Sequence, residues 1–194
     1  AQRALAGTGI GLGAQNVAPD WKGAMTGELS AAMLSGFGCG YALVGHSERR
    51  QRFAETPELV AARALGAVRG GVRPVLCVGE TAEQRDAGRT RTVLESQLAP
   101  VLDRLTDEDL AGLLIAYEPL WAIGTGRSAT PEQAQEVHAW LKRHLLQRSA
   151  ALAARVPLLY GGSVKADNAL GLLQQADIDG ALIGGASLDA DEFE

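Results

Sequence analysis

One glutamate, Glu118, ends the aliphatic run Leu113-Leu114-Ile115-Ala116-Tyr117 and opens the stretch Pro119-Leu120-Trp121-Ala122-Ile123-Gly124-Thr125-Gly126. A carboxylate leaving an apolar wall loses part of its hydration, which strengthens it as a general base. The segment behind it is stiff and apolar, then small at its tip, and passes through Arg127-Ser128-Ala129 to Thr130. A rigid loop with changes of backbone freedom at both ends suits a lid that closes as one body and excludes water. Read alone, the same residues also fit an ion-paired structural glutamate and an ordinary glycine-rich connection.

Two further groups could act with such a base. His46, in Gly45-His46-Ser47-Glu48-Arg49-Arg50, lies where a strand gives way to a helix. A helix N-terminus disfavours a positive imidazole, so His46 is suited to donate, as a neutral ring, to a substrate carbonyl. His138 and His144 lie six apart on one helical pattern, which is not a metal-ligand spacing, and both read as structural. The glycine pairs of Tyr160-Gly161-Gly162-Ser163-Val164 and Ile183-Gly184-Gly185-Ala186-Ser187 end two aliphatic runs. Backbone N–H groups at such pairs approach a phosphate closely, and a following helix N-terminus favours its charge. Each pair alone also serves any tight turn.

Short aliphatic runs that must position these groups recur at Ile10–Asn16, Tyr41–His46, Pro74–Gly79, Leu113–Glu118, Pro157–Gly161 and Ala181–Gly184. They are apolar without strict alternation, as strands covered on both faces are. Helices fill the intervals. Pro57–Val68 follows Thr56, a cap with proline at the first helical position. Thr130-Pro131-Glu132-Gln133 reads as a capping box, followed by Ala134, Val137, Leu141 and Leu145 at helical spacing. Asp107–Leu110 is a short turn-like element. Alternating strands and helices imply a parallel sheet with right-handed crossovers. Polar and glycine-rich residues follow many successive strand ends, which is the geometry of a barrel mouth. A dinucleotide fold would instead gather its glycines after the first strand as GxGxxG, and no such pattern stands there.

The 194 residues suit one domain, 1–194, and are 46% hydrophobic but only 5% aromatic, with a formal charge of −5. A mild acidic excess argues against a nucleic-acid surface. No apolar run approaches the 18 residues of a membrane span. Cys39 and Cys77 are far apart and read as reduced core thiols of a cytoplasmic protein.

On these residues the chain resembles the triosephosphate isomerase family. The matching blocks are Ala14–Asn16 (AQN), Thr26–Glu28 (TGE), Gly45–Arg50 (GHSERR), Cys77–Glu80 (CVGE), Ala116–Gly126 (AYEPLWAIGTG), Tyr160–Val164 (YGGSV) and Gly184–Leu188 (GGASL), in the family's order. The resemblance implies a (β/α)8 TIM barrel in the α/β class, with about six of eight βα units present. The first two strands and most of the last helix are expected to be missing. It implies interconversion of dihydroxyacetone phosphate and glyceraldehyde 3-phosphate through an enediolate, in glycolysis and gluconeogenesis, without metal or cofactor. Glu118 matches the family's base and His46 its neutral electrophile. Gly124, Ser163, Gly184 and Gly185 match phosphate-contacting positions. The segment Asn16–Glu28 matches a loop that projects into a second subunit, which implies a homodimer.

One departure is an absence. The family's first strand ends in Asn-x-Lys, whose lysine reaches the phosphate, and none of Lys22, Lys142 or Lys165 follows such a strand. This chain alone is therefore expected to lack that cation and the barrier lowering it supplies. Two other expectations remain open on sequence: another phosphosugar-binding barrel enzyme, and a non-catalytic truncated fragment.

Overall fold

The computed structural model describes residues 1–123 and 128–193, so Gly124 and the tip of the expected lid lie outside the described residues. The chain forms two compact units. The first comprises Ala1–Leu76 and Gln97–Leu114; the second comprises Cys77–Ser96 and Ile115–Glu194.

Strands in the first unit are β1 (Leu12–Ala14), β2 (Cys39–Val44) and the opening residues of β3 (Arg73–Val78). β1 pairs parallel with β2, with a register irregularity between Leu12 and Gly13, and β2 pairs parallel with β3 from Tyr41↔Arg73 to Val44↔Leu76. Helices Ala31–Gly36 and Pro57–Arg69 pack on β2 and on each other. The second helix buries Val60, Ala61, Ala64 and Ala67. Small residues along that stripe let the helix lie close to the sheet. Its Thr56 cap forms as expected, with the hydroxyl accepting from the Leu59 N–H at 3.3 Å.

Arg63 is buried on the same helix, and its guanidinium serves two carboxylates. Nη2 lies 2.9 Å from Glu28 Oε1 and 3.1 Å from Glu55 Oε1. Nη1 donates to the Val17 carbonyl. Arg49 closes on Glu55 at 2.7 Å, and the Asn16 side-chain amide donates to Glu28 at 3.2 Å. A buried charge is tolerable only when paired in this way. The Arg63 guanidinium holds the Glu28 carboxyl below its ordinary range.

In the second unit, β4 (Leu114–Tyr117) pairs parallel with β5 (Leu158–Tyr160), and β5 with β6 (Gly180–Ala181). The end of β3 reaches this unit, where the Val78 carbonyl accepts from the Glu118 N–H at 2.7 Å. Helix Pro131–Arg148 packs its buried Ala134, Val137, His138, Leu141 and Leu145 against β5 and its neighbours. Its Thr130–Gln133 capping box forms as expected. Core residues Ile115, Ala116, Leu158 and Tyr160 are fully buried, as parallel strands covered on both faces require.

All six expected runs overlap strands; β2 and β3 are as long as their runs but begin earlier, and the other four strands are shorter than theirs. His46 and Glu118, at the ends of their runs, and Glu80, one residue beyond its run, follow the strands. Helices 82–86 and 90–104 were not resolved by periodicity; the second carries Pro100 in its interior, which breaks up its pattern.

Candidate active site

In the first unit, His46 follows Gly45, whose φ of 71° is natural only for glycine. The Arg50 guanidinium donates to the Gly45 carbonyl at 2.7 Å. His46 then caps helix Ser47–Arg52, and its Nδ1 accepts from the Glu48 N–H at 3.3 Å. With Nδ1 committed as an acceptor, the single proton of a neutral ring belongs on Nε2.

The second unit places Glu118, Ser163, Gly184 and Gly185 at the ends of three successive strands. Glu118 is 2% exposed. Glycines bound it on both sides. A Cβ on Gly79 would run into the Glu118 carbonyl, and one on Gly161 would lie 3.0 Å from its Cγ. Gly161 also donates to the Tyr117 carbonyl at 2.7 Å. The first glycine of the Gly161-Gly162-Ser163 turn therefore makes room for the glutamate, a role additional to any anion binding.

Glu80 anchors the segment around Glu118. It is wholly buried, and its Oε1 accepts from Tyr117 Oη at 3.0 Å, Trp121 Nε1 at 3.1 Å, Arg85 Nη1 at 3.2 Å and Thr90 Oγ1 at 3.4 Å. Tyr117 immediately precedes Glu118. Trp121 sits in the short 3-10 turn Leu120–Ala122 that follows it. Burial, and then the Glu80 carboxylate, push the Tyr117 phenol well above its ordinary range, so it stays a donor. The Leu120–Ala122 turn meets the glycine turn directly, since Ser163 N–H donates to the Ala122 carbonyl at 3.1 Å.

Gly184 and Gly185 start the turn Gly185–Leu188. A Cβ at either would meet nothing within 4 Å, so packing does not demand glycine there. The Leu182 N–H donates to the Tyr160 carbonyl at 2.8 Å and ties this strand end to its neighbour.

His138 is fully buried against Tyr117 and Tyr160, with ring centroids 5.8 and 6.3 Å away. Its Nδ1 lies 2.9 Å from the Ala134 carbonyl of its own helix. This agrees with its structural reading. Burial pushes its imidazole below the ordinary 6.5, more than nearby carbonyls and carboxylates pull it up. Between the lowered value and 6.5 the unfolded chain binds the extra proton, so stability falls as pH drops through 6.5. Urea midpoints measured across that window are expected to decline in the parent and to flatten in His138→Gln. Equal slopes would remove His138 as the cause.

Sequence reasoning assigned no role to Glu80, Tyr117 or Asn168. The Cys77–Glu80 block signalled the first, because a carboxylate directly after a buried strand needs partners. The third had only its spacing from Ser163.

Parallel strands joined by helices, with a buried carboxylate and a glycine turn at adjacent strand ends, define an α/β enzyme of the barrel class. The family model for triosephosphate isomerase matches residues 1–194, and the chain belongs to that family. It is 55% identical to the triosephosphate isomerase of Ralstonia nicotianae over 99% of this chain and 77% of that one. Identity is also 55% to the Cupriavidus necator enzyme (99% and 78%) and to a Coxiella burnetii enzyme (99% and 76%).

Proposed function

We propose that this protein interconverts dihydroxyacetone phosphate and glyceraldehyde 3-phosphate by moving one proton between adjacent carbons. Glu118 takes the proton from the first carbon and returns it to the second. His46 Nε2–H donates to the substrate oxygen as the enediolate forms. The Ser163, Gly184 and Gly185 turns bind the phosphate, together with Gly124, which lies outside the described residues. The reading assigns no metal or cofactor to the reaction. It places the protein in the cytoplasm, in glycolysis and gluconeogenesis.

The observation that carries this reading is the setting of Glu118. It is a buried carboxylate at a strand end, walled by two glycines, with the lid root starting at the next residue. The likeness to named isomerases at 55% identity supports it further. His46 supports it through its acceptor Nδ1, which is incompatible with an imidazolium in that hydrogen bond.

The same reading makes the protein a homodimer through the loop Asn16–Glu28. Trp21 and Met25 on that loop are 40% and 39% exposed. Its two ends are drawn together by the Ala18 N–H donating to the Leu29 carbonyl at 2.8 Å, as a projecting loop needs.

Incubation with dihydroxyacetone phosphate in deuterium oxide tests the chemistry. Deuterium is expected at the carbon that exchanges its proton, with glyceraldehyde 3-phosphate as product. Exchange absent from triose phosphate but present with a longer sugar phosphate would favour a different phosphosugar enzyme.

A further inference from the structure

We propose that Asn168 is a positioning residue for the anion-binding turn, acting through the backbone of Ser163. This rests on the reading of Gly161–Ser163 as a phosphate site and says what holds that site in shape. Asn168 spans the turn with both ends of one amide. Its Nδ2 donates to the Ser163 carbonyl at 3.1 Å, and its Oδ1 accepts from the Lys165 N–H at 2.9 Å. The Asn168 N–H closes the same loop on the Lys165 carbonyl at 3.2 Å.

The side-chain chemistry is specific. Aspartate has no donor for the Ser163 carbonyl, and alanine has neither donor nor acceptor. In a trans peptide the carbonyl and the next N–H point in opposite directions. Holding the Ser163 carbonyl on Asn168 therefore aims the Val164 N–H the other way. On its other side, Ser163 is held by the Ala122 carbonyl. Both peptide planes around Ser163 thus have defined orientations. A turn that binds an anion through backbone N–H groups depends on such directions, because free rotation would have to be frozen on binding. Asn168 is only partly buried. Its loss is expected to alter the turn more than the stability.

The test uses inorganic phosphate as probe, with affinity read by phosphorus NMR line broadening on the whole chain. Asn168→Ala is expected to weaken phosphate binding about five- to tenfold, the scale of one or two net hydrogen bonds. Asn168→Ser keeps an acceptor for Lys165 N–H but is too short for Ser163, and is expected to match the alanine variant. KM for triose phosphate should rise by the same factor with kcat nearly unchanged, the mark of lost uniform binding. Thermal melts of both variants identify any unfolding, which a purely structural role would produce without that KM split. Variants that bind phosphate as tightly as a binding parent overturn the role of Asn168 alone. Recovery by serine overturns the Ser163 route. A parent that binds no phosphate overturns both this role and the phosphate reading of the turn.

Discussion

Glu118→Gln is expected to lower kcat by about 10²–10⁴-fold, the usual contribution of a positioned general base. That corresponds to roughly 3–5 kcal/mol of barrier. Glutamine preserves the shape held between Gly79 and Gly161 but cannot accept the proton. Phosphate affinity is expected to stay near the parent's, because the anion is assigned to the glycine turns. Glu118→Asp tests geometry separately. It keeps the base but withdraws it by one methylene, and a displacement of that order is enough to cost about 10²-fold. Solvent deuterium exchange reports the proton step directly in both variants. A glutamine variant that exchanges at the parent's rate would remove Glu118 as the base.

Glu80→Ala is expected to be the most damaging single change to stability in the second unit. It strands Tyr117 Oη, Trp121 Nε1 and Arg85 together, and the last is a cation only about a quarter exposed. Removing one partner of a buried charge pair costs about 3–5 kcal/mol, and the partial exposure of Arg85 argues for the lower end. For a chain of this size that is a fall in Tm of roughly 6–15 °C. Glu80→Gln retains an acceptor oxygen and is expected to lose less. Turnover should fall along with stability, because the two donors on either side of Glu118 are both anchored on Glu80. A melt of Glu80→Ala within a degree of the parent would show that the hub is not stabilising.

Much of this site was legible because its residues carry local signals. Thr56 and Thr130 announce helix starts through chemistry confined to four residues. Glu118 stands out as a charge ending an apolar strand. His46 is marked by the strand-to-helix transition around it. What could not be read are pairings between distant segments. The donors to Glu80 come from positions 85, 90, 117 and 121, and no periodicity links them. Nothing in the Pro57–Val68 pattern marks Arg63, yet it is 4% exposed, because Glu28 and Glu55 arrive from two other segments. Asn168 holds Ser163 through an amide that no apolar pattern predicts. Sequence periodicity reports which face a residue occupies; it does not report which partner waits there.

The two glycines flanking Glu118 separate importance from participation. Gly79 and Gly161 contribute no side chain, yet a single methyl on either would press on Glu118 or its backbone. In a survey of tolerated substitutions both positions would rank beside Glu118 itself. The intolerance would mark the outline of the space that Glu118 occupies, drawn by residues whose contribution is to be small.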